Sequence, residues 1–293
     1  LPPLFDNIFA AIEKWMRELL TGMVESNMST MFTDVNEKTS EIAAQVGRTP
    51  QNWNSSVFSM IQNLSESVVV PIAGIIITLV LCYELISMLT ERNNLHDVDT
   101  WMFFKYFVKA WVAIYLVSNT FTITMAVFDV GQSVVNSASG IINGETAIDV
   151  SSLSMQMQAA MATMEIGELV VLALETFLVS FCMKIMSVVI TVIVYGRMIE
   201  IYLYTSLAPI PFATMSNREW GHVGTNYFRG LFALAFQAFL MMVCVAIYAA
   251  LISSVRISSN MHSALIGVAA YTVILCFSLM KTGSLSKQIF GSH

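Results

Sequence analysis

The sequence predicts an all-α, polytopic helical membrane protein with about five transmembrane helices. Two observations set this class. Hydrophobic residues make up 56% of the chain and charged residues only 12%, where an average soluble domain carries about 25% charged. The apolar residues also gather into runs long enough to span a bilayer. A third observation organises the rest. From Leu169 the chain runs through VVLALETFLVSFCMKIMSVVITVIVYGRMIEIYLYTSLAPIPFATM with no turn signal before Gly196. As one helix, 165–208 is about 66 Å long, roughly twice a bilayer's hydrocarbon core.

Composition excludes several functions. The net charge of −6 argues against a generally basic nucleic-acid-binding surface. No GxSxG, Walker A, HExxH or Rossmann pattern occurs, so no catalytic or cofactor-binding residue is predicted. The four histidines lack metal-ligand spacing. Cys82, Cys182, Cys244 and Cys276 each sit inside an apolar run and read as small core hydrophobes.

Residues 4–23 read as an amphipathic helix, with Phe5, Ile8, Phe9, Ile12, Met16, Leu19 and Met23 as its apolar stripe. Such a helix either lies in the membrane interface with Trp15 near the headgroups, or packs on its own protein or a neighbour. Residues 25–67 are polar. A weak helix is expected over 34–46, closed by Gly47, and Thr49-Pro50 reads as an N-cap followed by Pro at the first helical position.

The first span is 68–89, with Pro71 near its outer end and Glu84 near the other, expected to snorkel to the interface or to pair with another helix. The second is 101–127. Lys105 and Lys109 at its entrance, with Arg92 in the preceding loop, mark a cytoplasmic edge. Residues 129–164 are expected as a mobile polar loop with Asp129, Glu145 and Asp149 and no Lys or Arg, which places it outside the cytoplasm. Its end reads as a Met-rich amphipathic turn series with Leu153, Met157, Met161 and Met164 on one face.

The long third span, 165–208, carries Glu168, Glu175, Lys184, Arg197 and Glu200, which hydrocarbon tolerates poorly. At about 100° per residue the three glutamates fall within about 40° of each other and Lys184 points the opposite way. Polar groups so placed are candidates for interhelix and intersubunit contacts. Pro209 and Pro211 cannot continue the helix and turn the chain. Arg218 and Arg229 lie in the loop that follows. The fourth span, 230–252, has Gly230, Ala233, Ala235 and Ala238 for close helix contact. The fifth is 263–280.

Parity fixes the sides. With one crossing by 165–208, eight of the fourteen Lys and Arg residues lie in or beside short cytoplasmic segments. Splitting that helix would need a turn within 188–194, where no turn residue stands. The expected organisation is an extracytoplasmic and interfacial helical region at 1–67, a membrane domain at 68–281 and a short cytoplasmic tail at 282–293.

The extracytoplasmic helical start, the charged third span and the stretch YTSLAPIPFATMSN at 204–217 together resemble the TrbL-like polytopic inner-membrane subunits of conjugative type IV secretion systems. The likeness is to those of Gram-positive mobile elements in particular. The resemblance implies a bacterial cell-membrane scaffold or channel component without chemistry of its own. It implies a homo-oligomeric ring of about five or six copies, working beside other secretion-system membrane subunits and ATPases, in contact with lipid and with single-stranded DNA in transit. The residues leave an alternative open: a small-molecule or ion transporter using Glu168, Glu175 and Lys184 as its path. Against it, the chain shows no internal repeat and no pair of matching broken helices.

Overall fold

The computed structural model describes residues 2–90, 100–142, 150–254 and 261–292, with the side chains of 2–6, 139–142 and 150–154 outside that description. The described residues form helices joined by short turns. In order they are α1 (Pro2–Val46), α2 (Pro50–Trp53), α3 (Ser55–Leu64), a π turn at Ser65–Val69, α4 (Val70–Thr90), α5 (Thr100–Ser118) and α6 (Thr120–Ile142). There follow α7 (Val150–Met161), α8 (Ile166–Ser206), α9 (Pro209–Thr214), α10 (Gly221–Ser253) and α11 (Met261–Phe290). Among the described residues, five helical runs are long and apolar enough to cross a membrane: Ser55–Thr90, Thr100–Ser118, Ile166–Ser206, Gly221–Ser253 and Met261–Phe290. The protein is therefore an all-α, multi-pass membrane protein.

Local sequence explains the breaks. Thr49 accepts a hydrogen bond from the Asn52 amide, with Pro50 at the first helical position, as its sequence predicts. Pro71 has no N–H to give the preceding turn. The strain is taken up by the π turn just before it, where the Val70 amide reaches five residues back to Ser65. At Asn119 α5 passes directly into α6 through a single turn residue. Its amide still bonds to the Tyr115 carbonyl, while the Thr120 hydroxyl bonds back to the Leu116 and Val117 carbonyls, both at 2.8 Å.

Several elements exceed their expected lengths. The N-terminal region is one helix of 45 residues rather than two. Residues 129–164, expected as a mobile loop ending in an amphipathic turn series, are helical over α6 to Ile142, and most of the series is helix α7. The reason lies on α6: Phe128, Gly131 and Val135 are buried at helical spacing. Gly131 is a contact residue there, since a Cβ on it would stand 2.8 Å from the Ala235 carbonyl oxygen. α10 begins at Gly221 and α11 continues to Phe290, into the expected tail. Arg92, Glu145, Asp149 and Arg256 lie outside the described residues.

The chain divides into two compact units. One comprises Leu1–Ala44, Ser139–Val194 and Met241–Met280. In it α1 runs parallel to the first part of α8. Arg17 donates to the Met164 carbonyl at 2.7 Å, Ser180 to the Asn27 carbonyl at 3.2 Å and Lys38 to the Thr191 hydroxyl at 3.3 Å. Leu20, Val24, Met28, Met31 and Val35 form the buried face of α1, and Leu169, Leu172, Met183 and Ile190 that of α8. The other unit comprises Gln45–Ala138, Tyr195–Leu240 and Lys281–His293. One cluster there packs Ile61, Phe121, Phe128, Ile201, Tyr202 and Leu231. A second packs Ala73, Ile77, Ala113, Val117, Phe212 and Tyr227 around the proline-rich turn.

Candidate functional site

An ionised side chain in hydrocarbon must find a partner, water or a pKa shift. The polar residues of the spanning helices were the candidates, and the structure gives most of them a partner on another helix of the same chain. In the first unit, the His262 ring of α11 hydrogen-bonds through Nδ1 to the Glu175 carboxylate of α8. In the second, Lys287 of α11 donates to Glu200 of α8 at 3.0 Å. In the same unit Lys109 of α5 reaches Glu84 of α4 at 2.5 Å. Of the two expectations for Glu84, snorkelling or pairing with another helix, the second holds: it is half-buried and paired.

Arg197 differs from these. It is buried at 7% exposure and donates to the Leu234 carbonyl of α10 at 3.3 Å, while its Nε has no partner. Gln237 Oε1 on α10 and Asn217 Nδ2 beyond α9 are also buried and unpaired. With Gln45 Oε1, the second unit thus keeps four unsatisfied polar atoms besides that of Ser65 among its described residues, each a site where a side chain has not reached its full hydrogen-bonding capacity.

Two of the five candidates on α8 stay outside this pairing. Glu168 accepts from the Glu165 amide at 3.2 Å and so caps the helix on which it sits. Lys184 is exposed on a face shared with Phe177, Phe181, Ile185 and Val188. Of the cytoplasmic-edge candidates, Lys105 stands over the Trp101 ring at 5.7 Å, and Arg218 and Arg229 are exposed. Pro209 and Pro211 lie in α9, where Pro209 begins the short helix after α8 has ended at Ser206.

That turn is held by two tyrosines. The Ala208 amide bonds to Thr205, so the Tyr204 carbonyl loses its usual partner four residues on. The Tyr227 hydroxyl donates to it at 2.6 Å, and the Tyr204 hydroxyl donates to the Tyr227 carbonyl at 3.1 Å. Their rings stack at 4.4 Å. Sequence reading missed this pair and also His262, which carried no motif. Of the cysteines, Cys276 is buried as expected, whereas Cys82 and Cys182 lie exposed on their helices.

Among the described residues, no group of three or more His, Cys, Asp or Glu side chains is placed to hold a metal ion. The arrangement is one of helix-to-helix ties. A family model described as TrbL/VirB6 plasmid conjugal transfer like protein matches residues 35–209, more than half of the chain. The chain belongs to this family. It is accordingly a membrane component of a conjugative type IV secretion system. No curated protein and no solved structure matches it. The match takes in Glu84, Lys109 and all the α8 candidates, and it ends at Pro209.

Proposed function

We propose that the protein is an integral scaffold of the bacterial cell (inner) membrane that assembles as a homo-oligomer around the path taken by DNA and protein during conjugal transfer. The observation that carries this reading is the use made of intramembrane charge. Glu84, Glu175 and Glu200 are each engaged by a cation or an imidazole of another helix. Such ties fix helix positions, and they leave no row of open carboxylates to pass an ion along. Lys184, by contrast, projects among large apolar side chains, where a neighbouring subunit's acceptor would satisfy it.

On this reading Glu168, Glu175, Lys184, Arg197 and Glu200 are structural residues and none is catalytic. The N-terminus and the segment at 129–164 lie outside the cytoplasm, and 216–229 and the C-terminus inside, following the positive-inside bias. The partners are other secretion-system membrane subunits, their ATPases and lipid, with single-stranded DNA passing close by. An in-frame deletion should abolish conjugal transfer, and complementation with the full chain should restore it. Native mass spectrometry in mild detergent should give a closed oligomer of about five or six copies. A strictly monomeric species under all detergent and lipid conditions would exclude the scaffold reading. Ion flux through the purified protein alone would favour a transporter.

A further inference from the structure

From Asn7, where its side chains are described, the start of α1 lies open. Every described residue from Asn7 to Trp15 is exposed, including Phe9 at 68% and Trp15 at 62%. The helix meets the rest of its unit from Arg17 onward, where that side chain bonds to Met164 beside the start of α8. Residues 2–16 therefore extend about 22 Å past that point.

Direction decides what can cover this tip. α1 is one unbroken helix, and three hydrogen bonds met in the same order along both segments, from Met164 just before α8 to Thr191 within it, hold it parallel to α8. α8 is long and apolar enough to cross the membrane. A tip continuing that axis cannot lie flat in the membrane interface, which an interfacial helix must do. Nor can it fold its stripe onto its own chain. The stripe of Ile8, Ile12, Trp15 and Leu19 is turned about 150° from the buried face of Leu20, Val24, Met28, Met31 and Val35.

The spacing names the kind of partner. Phe5, Ile8, Ile12, Trp15 and Leu19 follow intervals of three, four, three and four residues, the repeat of a coiled-coil seam. Phe9 and Met23 widen the exposed apolar arc to about 120°, more than a strict two-stranded seam presents. The charged residues Asp6, Glu13, Lys14, Arg17 and Glu18 sum to only −1. The tip therefore repels a copy of itself only weakly and does not favour anionic lipid. Beyond Leu19 the same register continues as Gly22, Ser26, Ser29 and Thr33, where Ser26, Ser29 and Thr33 are exposed. The apolar seam gives way there to small polar side chains.

We propose that the α1 tips of several copies of this chain associate through Ile8, Ile12, Trp15 and Leu19 into a helical bundle projecting beyond the extracytoplasmic end of α8. This rests on the homo-oligomer reading above and adds the contact and its partner. The bundle closes the assembly at one end, and the hydroxyl-bearing stretch of α1 faces the space between copies below it.

The test uses the full chain with its four cysteines replaced by alanine. Single cysteines go at Ile12 in the seam and at Lys14 on the opposite side. In membranes, a short bifunctional maleimide should link Ile12→Cys into dimers and higher multimers, and Lys14→Cys only weakly. Adding Ile12→Asp to an Ile8→Cys chain should reduce cross-linking to the Lys14→Cys level without lowering Tm, because Ile12 and its neighbours from Asn7 to Trp15 are exposed. If native mass spectrometry gives the oligomer while Ile12→Cys links no better than Lys14→Cys, the bundle is wrong and the homo-oligomer stands. If no oligomer exists, both fail. Cross-linking of Ile12→Cys to a different protein, or its labelling by a lipid-phase reagent alone, would also overturn the bundle.

Discussion

Tyr204 and Tyr227 each donate a hydroxyl to the other's backbone carbonyl, at 3.1 and 2.6 Å, beneath a stacked pair of rings. The two bonds are unequal in worth. The Tyr204 carbonyl has lost its helical partner at the end of α8, whereas the Tyr227 carbonyl lies inside α10 and can also accept from its own helix. Tyr227→Phe should therefore destabilise the protein by about 1–3 kcal/mol and Tyr204→Phe by about 0.5–1.5 kcal/mol. Thermal unfolding in detergent would measure both. Equal effects would show that the end of α8 is not where the strength lies.

A second prediction concerns Glu175. Its partner is His262 of the same chain, so the first casualty of losing it is the fold of that unit rather than the contact between subunits. Glu175→Gln keeps an acceptor for the imidazole and should be tolerated. Glu175→Leu leaves His262 unpaired and should lower stability by about 1–3 kcal/mol. Transfer frequency and oligomer yield should then fall together. If Glu175→Gln abolished transfer while the oligomer stayed intact, the charge itself would be functional.

Close packing of α6 on α10 gives the third. A methyl on Gly131 would come within 2.8 Å of the Ala235 carbonyl oxygen, and backbone cannot rotate away as a side chain can. Gly131→Ala should lower stability by about 1–3 kcal/mol. Gly22, which has open space around it, should accept alanine without loss, and the two Tm values together check the point.

Sidedness is the fourth. Single cysteines at Ser137 and Ser216, in a cysteine-free chain, should label with an impermeant maleimide from opposite sides of the membrane. This follows from the distribution of Lys and Arg. Labelling from the same side would require a different number of crossings.

The apolar runs made the spanning helices legible in the sequence, and Thr49-Pro50 and Pro209 marked two boundaries because caps and prolines act locally. The continuation of α6 was legible too, in the buried spacing of Phe128, Gly131 and Val135, but the glycines and serines around them suggested a loop. The charge partners were not. Glu84 and Lys109 are 25 residues apart, and Glu175 and His262 are 87 apart. Nothing in either neighbourhood says which helix will arrive alongside, since that is decided by packing of faces that are apolar almost all round. The direction of the α1 stripe was hidden for the same reason: its apolar pattern tells that something covers it, and only the buried face of the same helix tells that its own chain does not.

The Glu84–Lys109 pair sets an order of events during synthesis. α4 leaves the ribosome first, and a carboxylate near its end opposes membrane entry by a few kcal/mol until a partner comes. α5 is the least apolar of the spanning helices, with a mean hydropathy of 1.2 against 2.4 for the helix before it, and carries the lysine that answers that carboxylate. Neither helix is well suited to enter alone. The two should pass from the translocon into the bilayer together, as a hairpin that waits at its mouth until Lys109 has been made.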